Sequence, residues 1–350
     1  MTRGPIKVLI VDDSAVVRKL LSDSLSDDPE IKVVGAAADP FVARDMILKH
    51  EPDVLTCDIE MPRMDGLSFL RRIMAHRPMP VIIVSSITQR GSAASVEALQ
   101  IGAIDVIAKP GGPGSVGAVA DQLKRRIRAL KNGPALRFAR ANVTPIAPPA
   151  PARTSSGLIL IGASTGGTQA IEALLTRMPS NVPPILIVQH MPPLFTKAFA
   201  DRLDKVCPMR VVESAGNEFI EPGVAYIAPG DHHLVVERHG LKLKTALKDG
   251  PPVHYQRPAV DVLFHSAARL QGVPMVAAIL TGMGQDGADG MLALRQAGAE
   301  TLAEDEQSCV VFGMPKEAIA RGAAKHVVTL FHMPTKILDS LDRKALVGAR

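Results

Sequence analysis

LILIGASTGG, residues 158–167, decides how this chain is read. A short apolar run breaks into small residues, and a helical pattern follows. That succession reads as strand, tight turn, helix. Gly162-x-Ser164-x-Gly166 fits the G-x-S-x-G elbow, which lifts a serine hydroxyl to the top of a sheet. The next apolar run, residues 184–189, ends on His190. A third, residues 275–280, runs into TGMGQDGADG and carries Asp286. A serine, a histidine and an aspartate therefore each follow the carboxyl end of an expected strand. Ligands of open α/β sheets bind along that edge. Acyl transfer is the first chemistry this suggests.

The chain has 350 residues, enough for two or three domains with their own cores. Hydrophobic residues make up 47% and charged residues 21%, as in ordinary globular protein. No apolar run approaches the ~18 residues that would suggest a membrane span. The apolar run near the start stops at Asp12 and Asp13, without the small-residue cleavage site of a secretory leader. Cys57, Cys207 and Cys309 are far apart and show no zinc or redox spacing, which suits a reducing cytoplasm. The net charge is +5, but residues 124–140 hold seven Lys/Arg and no acid. Without that stretch the chain is slightly acidic. There is no Trp and no recognition-helix or base-stacking motif, so nucleic acid is not an expected partner. The basic stretch reads as a solvated helix end entering a linker, or as a docking patch for an acidic partner.

Strand-like runs at 7–11, 31–34, 54–57, 81–84 and 104–108 alternate with helical patterns at 16–25, 42–49, 67–75 and 93–101. Such alternation implies a parallel sheet covered on both faces. The expected division is a first domain at 1–128, a basic and proline-rich linker at 129–156, and a second domain at 157–350. The second domain alternates again, so it should be doubly wound and mostly parallel. Two strand-like pieces, 234–236 and 241–244, flank Arg238-His239-Gly240 and read as an inserted β-hairpin.

In the first domain, Asp12 and Asp13 follow the first strand and Asp58 the third. Ser85 and Ser86 end the fourth, and Lys109 ends the fifth. Carboxylates gathered on one sheet edge repel unless a cation sits among them, and Mg²⁺ prefers such oxygen ligands. This constellation resembles the receiver domain of two-component response regulators, with a flavodoxin-like, five-stranded parallel sheet. The resemblance implies that Asp58 accepts a phosphoryl group from a histidine kinase. It implies Mg²⁺ held by Asp12, Asp13 and Asp58, a phosphate sensed by Ser85, and a phosphate partner in Lys109. Receivers often carry an aromatic residue three positions before that lysine; this chain has Val106.

The residues of the second domain admit four readings. IGASTGG could be a phosphate loop, since glycines before a helix suit a pyrophosphate. The ribose-binding acid expected at the next strand end is missing, and His190 stands there. The hydrolase order Ser…Asp…His would recruit His326, which lies at the entering end of a strand. Ser164, His190 and Asp286 form a third possibility, because triads are recognised by geometry rather than order. The fourth is a structural turn with His190 as a capping residue. His232 and His233 are adjacent and point to opposite faces, so they are poor joint ligands; His254 and His265 are lone residues.

IGASTGG…QH…APG…TGMGQDGADGM…GMPKEA, following a receiver and a linker, resembles the chemotaxis protein-glutamate methylesterase and glutaminase family over essentially the whole chain. The resemblance implies Ser164 as nucleophile, His190 as general base and Asp286 as its orienter. It adds an oxyanion contribution from the Met283 backbone and hydrogen-bonding support from Thr165. It implies methyl-accepting chemoreceptors as substrate, a chemotaxis kinase as phosphodonor, a cytoplasmic setting, no membrane insertion and no cofactor in the second domain. The competing class is a regulator whose second domain only binds a partner.

Overall fold

The computed structural model describes residues 4–86, 88–109, 116–131 and 157–348. The chain divides into two compact units, Met1–Asn142 and Val143–Arg350.

The first unit runs β1 (Ile6–Val11), α1 (Ala15–Ser26), β2 (Ile31–Ala37), α2 (Pro40–His50), β3 (Val54–Cys57), α3 (Gly66–His76), β4 (Val81–Ser85), α4 (Gln89–Ile101), β5 (Asp105–Ala108) and α5 (Val116–Lys131). β3 and β4 are buried along their whole length, as continuous apolar strands inside a two-faced parallel sheet should be. The helices start where a side chain can cap them. Ser14 accepts from the Val17 N–H, Asp39 from Phe41 and Val42 ahead of Pro40, and Asp65 from Ser68. In α3, Phe69, Leu70 and Ile73 form the buried stripe at helical spacing. The strand order is β2-β1-β3-β4-β5, all parallel. The functional carboxyl ends of β1, β3, β4 and β5 therefore line one edge. α5 continues to Lys131, three residues past the expected domain boundary. Its basic residues are partly used within the unit: Arg126 pairs with Asp105 at 3.1 Å and Arg128 with Asp28 at 2.9 Å. The rest of the expected linker, 132–156, lies outside the described residues.

The second unit contains β6 (Leu158–Ala163), α6 (Gly167–Leu175), β7 (Ile185–Gln189), α7 (Phe195–Val206), β8 (Arg210–Glu213), β9 (Val224–Ile227), β10 (His233–His239), β11 (Lys242–Lys248), α8 (Val260–Ala268), β12 (Met275–Ile279), α9 (Ala288–Gln296), β13 (Glu300–Glu304), α10 (Met314–Ala320), β14 (His326–Val328) and α11 (Met333–Gly348). Seven strands form one sheet in the order β14-β13-β12-β6-β7-β9-β8. Every pairing in it is parallel. From β6 the chain winds outward through β7 to β8 and β9, then returns to build β12, β13 and β14 on the other side. β6 is thus the switch point, where an open sheet leaves a crevice at its carboxyl edge. Phe195, Phe199 and Phe264 are among the largest fully buried side chains. Burying each stabilises the fold by roughly 1.5–3 kcal/mol.

The hairpin is present as a separate two-stranded sheet, but its turn lies further along than expected. Arg238 and His239 belong to β10, and His239 pairs with Lys242. The turn is Gly240-Leu241, with Gly240 at φ 62°. The last three residues of β10 are exposed, so polar side chains are tolerated there.

Candidate active site and phosphoacceptor site

Ser164 stands one residue beyond the paired ends of its strand: Ala163 of β6 opposes Gln189 of β7. His190 stands one residue beyond that partner. The register therefore sets serine and histidine side by side on neighbouring strands. The His190 N–H donates to the Ala163 carbonyl at 3.1 Å, which continues the ladder past the named strands. The serine turn is held from three directions. The Ser164 N–H donates to the Thr281 carbonyl at 3.0 Å. Its own carbonyl accepts from the Gly167 N–H at 2.7 Å and from Gln189 Nε2 at 2.9 Å. The left-handed conformation the turn needs falls on Gly166, at φ 78°. Ser164 itself is not at positive φ, so the strained serine of the elbow motif is replaced here by a glycine two residues on.

His190 Nε2 lies 2.8 Å from Asp286 Oδ2. The same carboxylate caps α8. Its Oδ2 accepts from the Val260 N–H at 2.7 Å and its Oδ1 from the Asp261 N–H at 2.9 Å. Ala259, at the N-cap of α8, offers no side-chain acceptor, so Asp286 satisfies these first-turn donors from across the crevice. Burial works to raise Asp286, but the His190 bond, its charge and the two N–H groups outweigh it and hold the carboxyl below its ordinary range. An ionised Asp286 fixes the proton on His190 Nε2 and leaves Nδ1 as the acceptor. Nδ1 is buried and has no hydrogen-bond partner among the described residues.

Met283, two residues into the TGMG loop, is partly buried. Its N–H donates to no group among the described residues. Thr165 is buried, and its carbonyl accepts from Thr281 Oγ1 at 3.0 Å. His326 sits elsewhere, 3.2 Å from Glu300 at the start of β14. His232 and His233 diverge: His232 pairs with Asp249, and His233 accepts from the Ala259 N–H. His254 Nε2 lies 3.1 Å from Asp261 Oδ2. With Asp289 it forms a cluster of metal-ligand type, but Arg321 pairs with Asp289 there and Gly290 N donates to Asp261. Sequence reasoning did not single out Thr281, Gln189, Asp261 or Glu304. Gln189 carried a signal, being a polar residue that closes the otherwise apolar β7.

In the first unit, Lys109 Nζ lies 2.9 Å from Asp12 Oδ2 and 2.8 Å from Asp58 Oδ2. Burial pushes Asp58 up against the pull of Lys109. Burial would lower Lys109, but its bonds to Asp58 and Asp12 prevail and raise it. Asp12, Asp13 and Asp58 bring one oxygen each to within 4.8 Å of one another. The Ser85 hydroxyl is buried without a partner among the described residues. An all-carboxylate oxygen set fits Mg²⁺, and an orphaned hydroxyl beside Asp58's edge fits an added phosphate. Val106 is buried in β5 opposite Ile83.

Together these features define a two-unit protein: a receiver with a carboxylate cluster, and a parallel α/β domain with serine, histidine and aspartate at its switch point. A CheB methylesterase family profile matches residues 159–337, and a response regulator receiver profile matches residues 8–120. The chain is 51% identical over 340 residues to protein-glutamate methylesterase/protein-glutamine glutaminase 2 of Syntrophus aciditrophicus, covering 95% of this chain and 98% of that one. It is 46% identical to the similarly named protein 2 of Pseudomonas aeruginosa, covering 97% and 98%. The crystal structure of the Thermotoga maritima CheB methylesterase catalytic domain aligns with a TM-score of 0.52 at 40% identity, covering 53% of this chain and 99% of that domain. The chain belongs to the CheB methylesterase family, with an N-terminal response regulator receiver.

Proposed function

We propose that this chain is a phosphorylation-regulated protein-glutamate methylesterase and protein-glutamine glutaminase of bacterial chemotaxis, with Ser164 as nucleophile, His190 as general base and Asp286 as its orienter. The observation that carries this is the Asp286–His190 pairing at 2.8 Å, which leaves Nδ1 buried and open beside the serine turn. His190 Nδ1 takes the Ser164 proton as Oγ attacks the ester carbonyl. The developing oxyanion faces the Met283 N–H, a contribution worth several kcal/mol in other hydrolases. Collapse expels methanol, which takes its proton from His190. Water then enters by the reverse steps and releases the free carboxylate. A glutamine side chain follows the same path and releases ammonia. Thr165 supports the turn through its backbone carbonyl.

The substrates are glutamyl methyl esters and certain glutamines of methyl-accepting chemoreceptors, and the phosphodonor is the chemotaxis histidine kinase. Both reside at the cytoplasm, where this chain acts. Among the described residues no helix is long and apolar enough to cross a membrane. In the receiver, Asp12, Asp13 and Asp58 would hold Mg²⁺, which would offset the charge of an incoming phosphoryl group. Asp58 accepts that group, Ser85 donates to it, and Lys109 moves from the carboxylates toward it. Methanol release from methyl-labelled receptor membranes tests the whole reading. Ser164→Ala should abolish it. Labelling by a serine-reactive phosphonate separates the enzyme from a pure binding module, which would not react at Ser164.

A further inference from the structure

Glu304 ends β13 with no exposure to solvent. Its Oε2 accepts from the Thr281 N–H at 2.8 Å, and its Oε1 is buried without a geometric hydrogen-bond partner among the described residues. The groups around it are Asp305 and the Ser308 and Cys309 side chains of its own loop. β12 leads into Thr281, and β14 opposes it with Val328. The neighbouring charge, on Asp305, has the same sign, and burial outweighs the Thr281 N–H and the Ser308 and Cys309 side chains that favour the anion. A carboxylate placed so, with one oxygen unsatisfied, is costly, whereas a carboxylic acid is not.

Thr281 is where this group meets the serine turn. Its carbonyl accepts from the Ser164 N–H at 3.0 Å. Its Oγ1 donates to the Thr165 carbonyl at 3.0 Å and accepts from the Val311 N–H at 2.9 Å. One residue thus grips the backbone on both sides of the nucleophile, and it begins the loop that carries Met283. The next residue is Gly282, whose Cβ would stand 2.8 Å from that of Ser164, so the loop lies directly against the serine.

We infer that Glu304 is a positioning residue, acting as a neutral carboxylic acid that anchors Thr281 from behind and through it sets both the Ser164 turn and the Met283 loop. The inference rests on Ser164 being the nucleophile. Burial pushes Glu304 up to about 7, so the neutral form is available at the pH of the cell. The proton belongs on Oε1, since Oε2 already accepts. Ionisation would place an uncompensated negative charge behind the loop that faces the oxyanion, opposing the charge developed in the transition state.

The test measures kcat and KM of the full chain on methyl-labelled receptor membranes from pH 6 to 9. Glu304→Leu should lower kcat by about tenfold or more with KM unchanged, because small misplacements of reacting groups cost that much. The isosteric Glu304→Gln should restore the turnover lost in the leucine variant, and should remove the part of the alkaline decline that titrates near neutrality. If the leucine variant does not fold, Thr281→Val, which breaks the Oγ1 contacts, should give the same selective loss of kcat. Wild-type turnover in both Glu304→Leu and Thr281→Val would overturn the inference. So would an alkaline limb shared by wild type and Glu304→Gln. Turnover surviving in Ser164→Ala would instead overturn the nucleophile assignment, whatever the Glu304 variants do.

Discussion

Asp286 accepts three hydrogen bonds, one from His190 Nε2 and two from the first N–H groups of α8, and uses both carboxylate oxygens to do so. It orients the imidazole and caps a helix at once. An amide cannot replace it in either rotamer. Whichever site receives the NH₂ group then faces an N–H donor. Asp286→Asn should therefore lower stability by about 1–3 kcal/mol as well as turnover. Turnover should fall by something on the order of 10²–10⁴, yet remain above that of Ser164→Ala. Thermal unfolding and methanol release measured on the same preparations check both parts. A loss of activity with no loss of stability would remove the capping role.

His190→Gln and His326→Gln separate the possible chain orders of a triad. His190 follows β7 beside Ser164, while His326 enters β14 and pairs with Glu300. The first variant should lose turnover by several orders of magnitude, and the second should retain it. A dead His326→Gln with an active His190→Gln would reverse the assignment.

The carboxyl-edge residues were legible because each follows an apolar run. A parallel sheet buried on both faces writes its strands that way. This sufficed for β1, β3 and β4 in the receiver and for the strands leading to Ser164 and His190. β8 and β9 are four residues each, too short to show a period. The hairpin boundary was misplaced because Arg238 and His239 are polar, and the exposed end of β10 has no need of apolar residues. The Asp286–α8 cap and the Glu304–Thr281–Ser164 chain link residues 23 to 117 positions apart. They exist only because β6, β12 and β13 are neighbours. No local pattern encodes that order, so these contacts could not be read from spacing.

In the receiver, Asp58→Asn removes the proposed phosphoacceptor and one of the two carboxylates on Lys109. The rise in methanol release produced by a small phosphodonor with Mg²⁺ should disappear. Ser85→Ala should leave Asp58 able to accept phosphate but blunt the rise, because the orphaned hydroxyl is no longer there to donate. Phosphorylation and turnover followed in parallel distinguish the two. A full rise in Asp58→Asn would place the acceptor elsewhere.

Glu304 also makes stability depend on pH, in the direction opposite to that of an ordinary paired acid. Its folded value of about 7 lies above its ordinary 4.5, so the folded chain keeps a proton that the unfolded chain gives up. The stabilising contribution is complete below about pH 4.5 and is lost as pH rises through about 7. The two values correspond to roughly 3 kcal/mol, an upper figure for one buried group. Asp286 acts the other way: its depressed carboxyl stabilises the fold above its ordinary 3.8 and loses that effect as pH falls further. The two windows barely overlap. Calorimetry of wild type and Glu304→Gln at pH 5 and pH 8 isolates the first. Relative to the amide variant, wild type should lose stability between these pH values, in the transition that the substitution shifts. An unchanged difference would mean that Glu304 does not change its ionisation on folding.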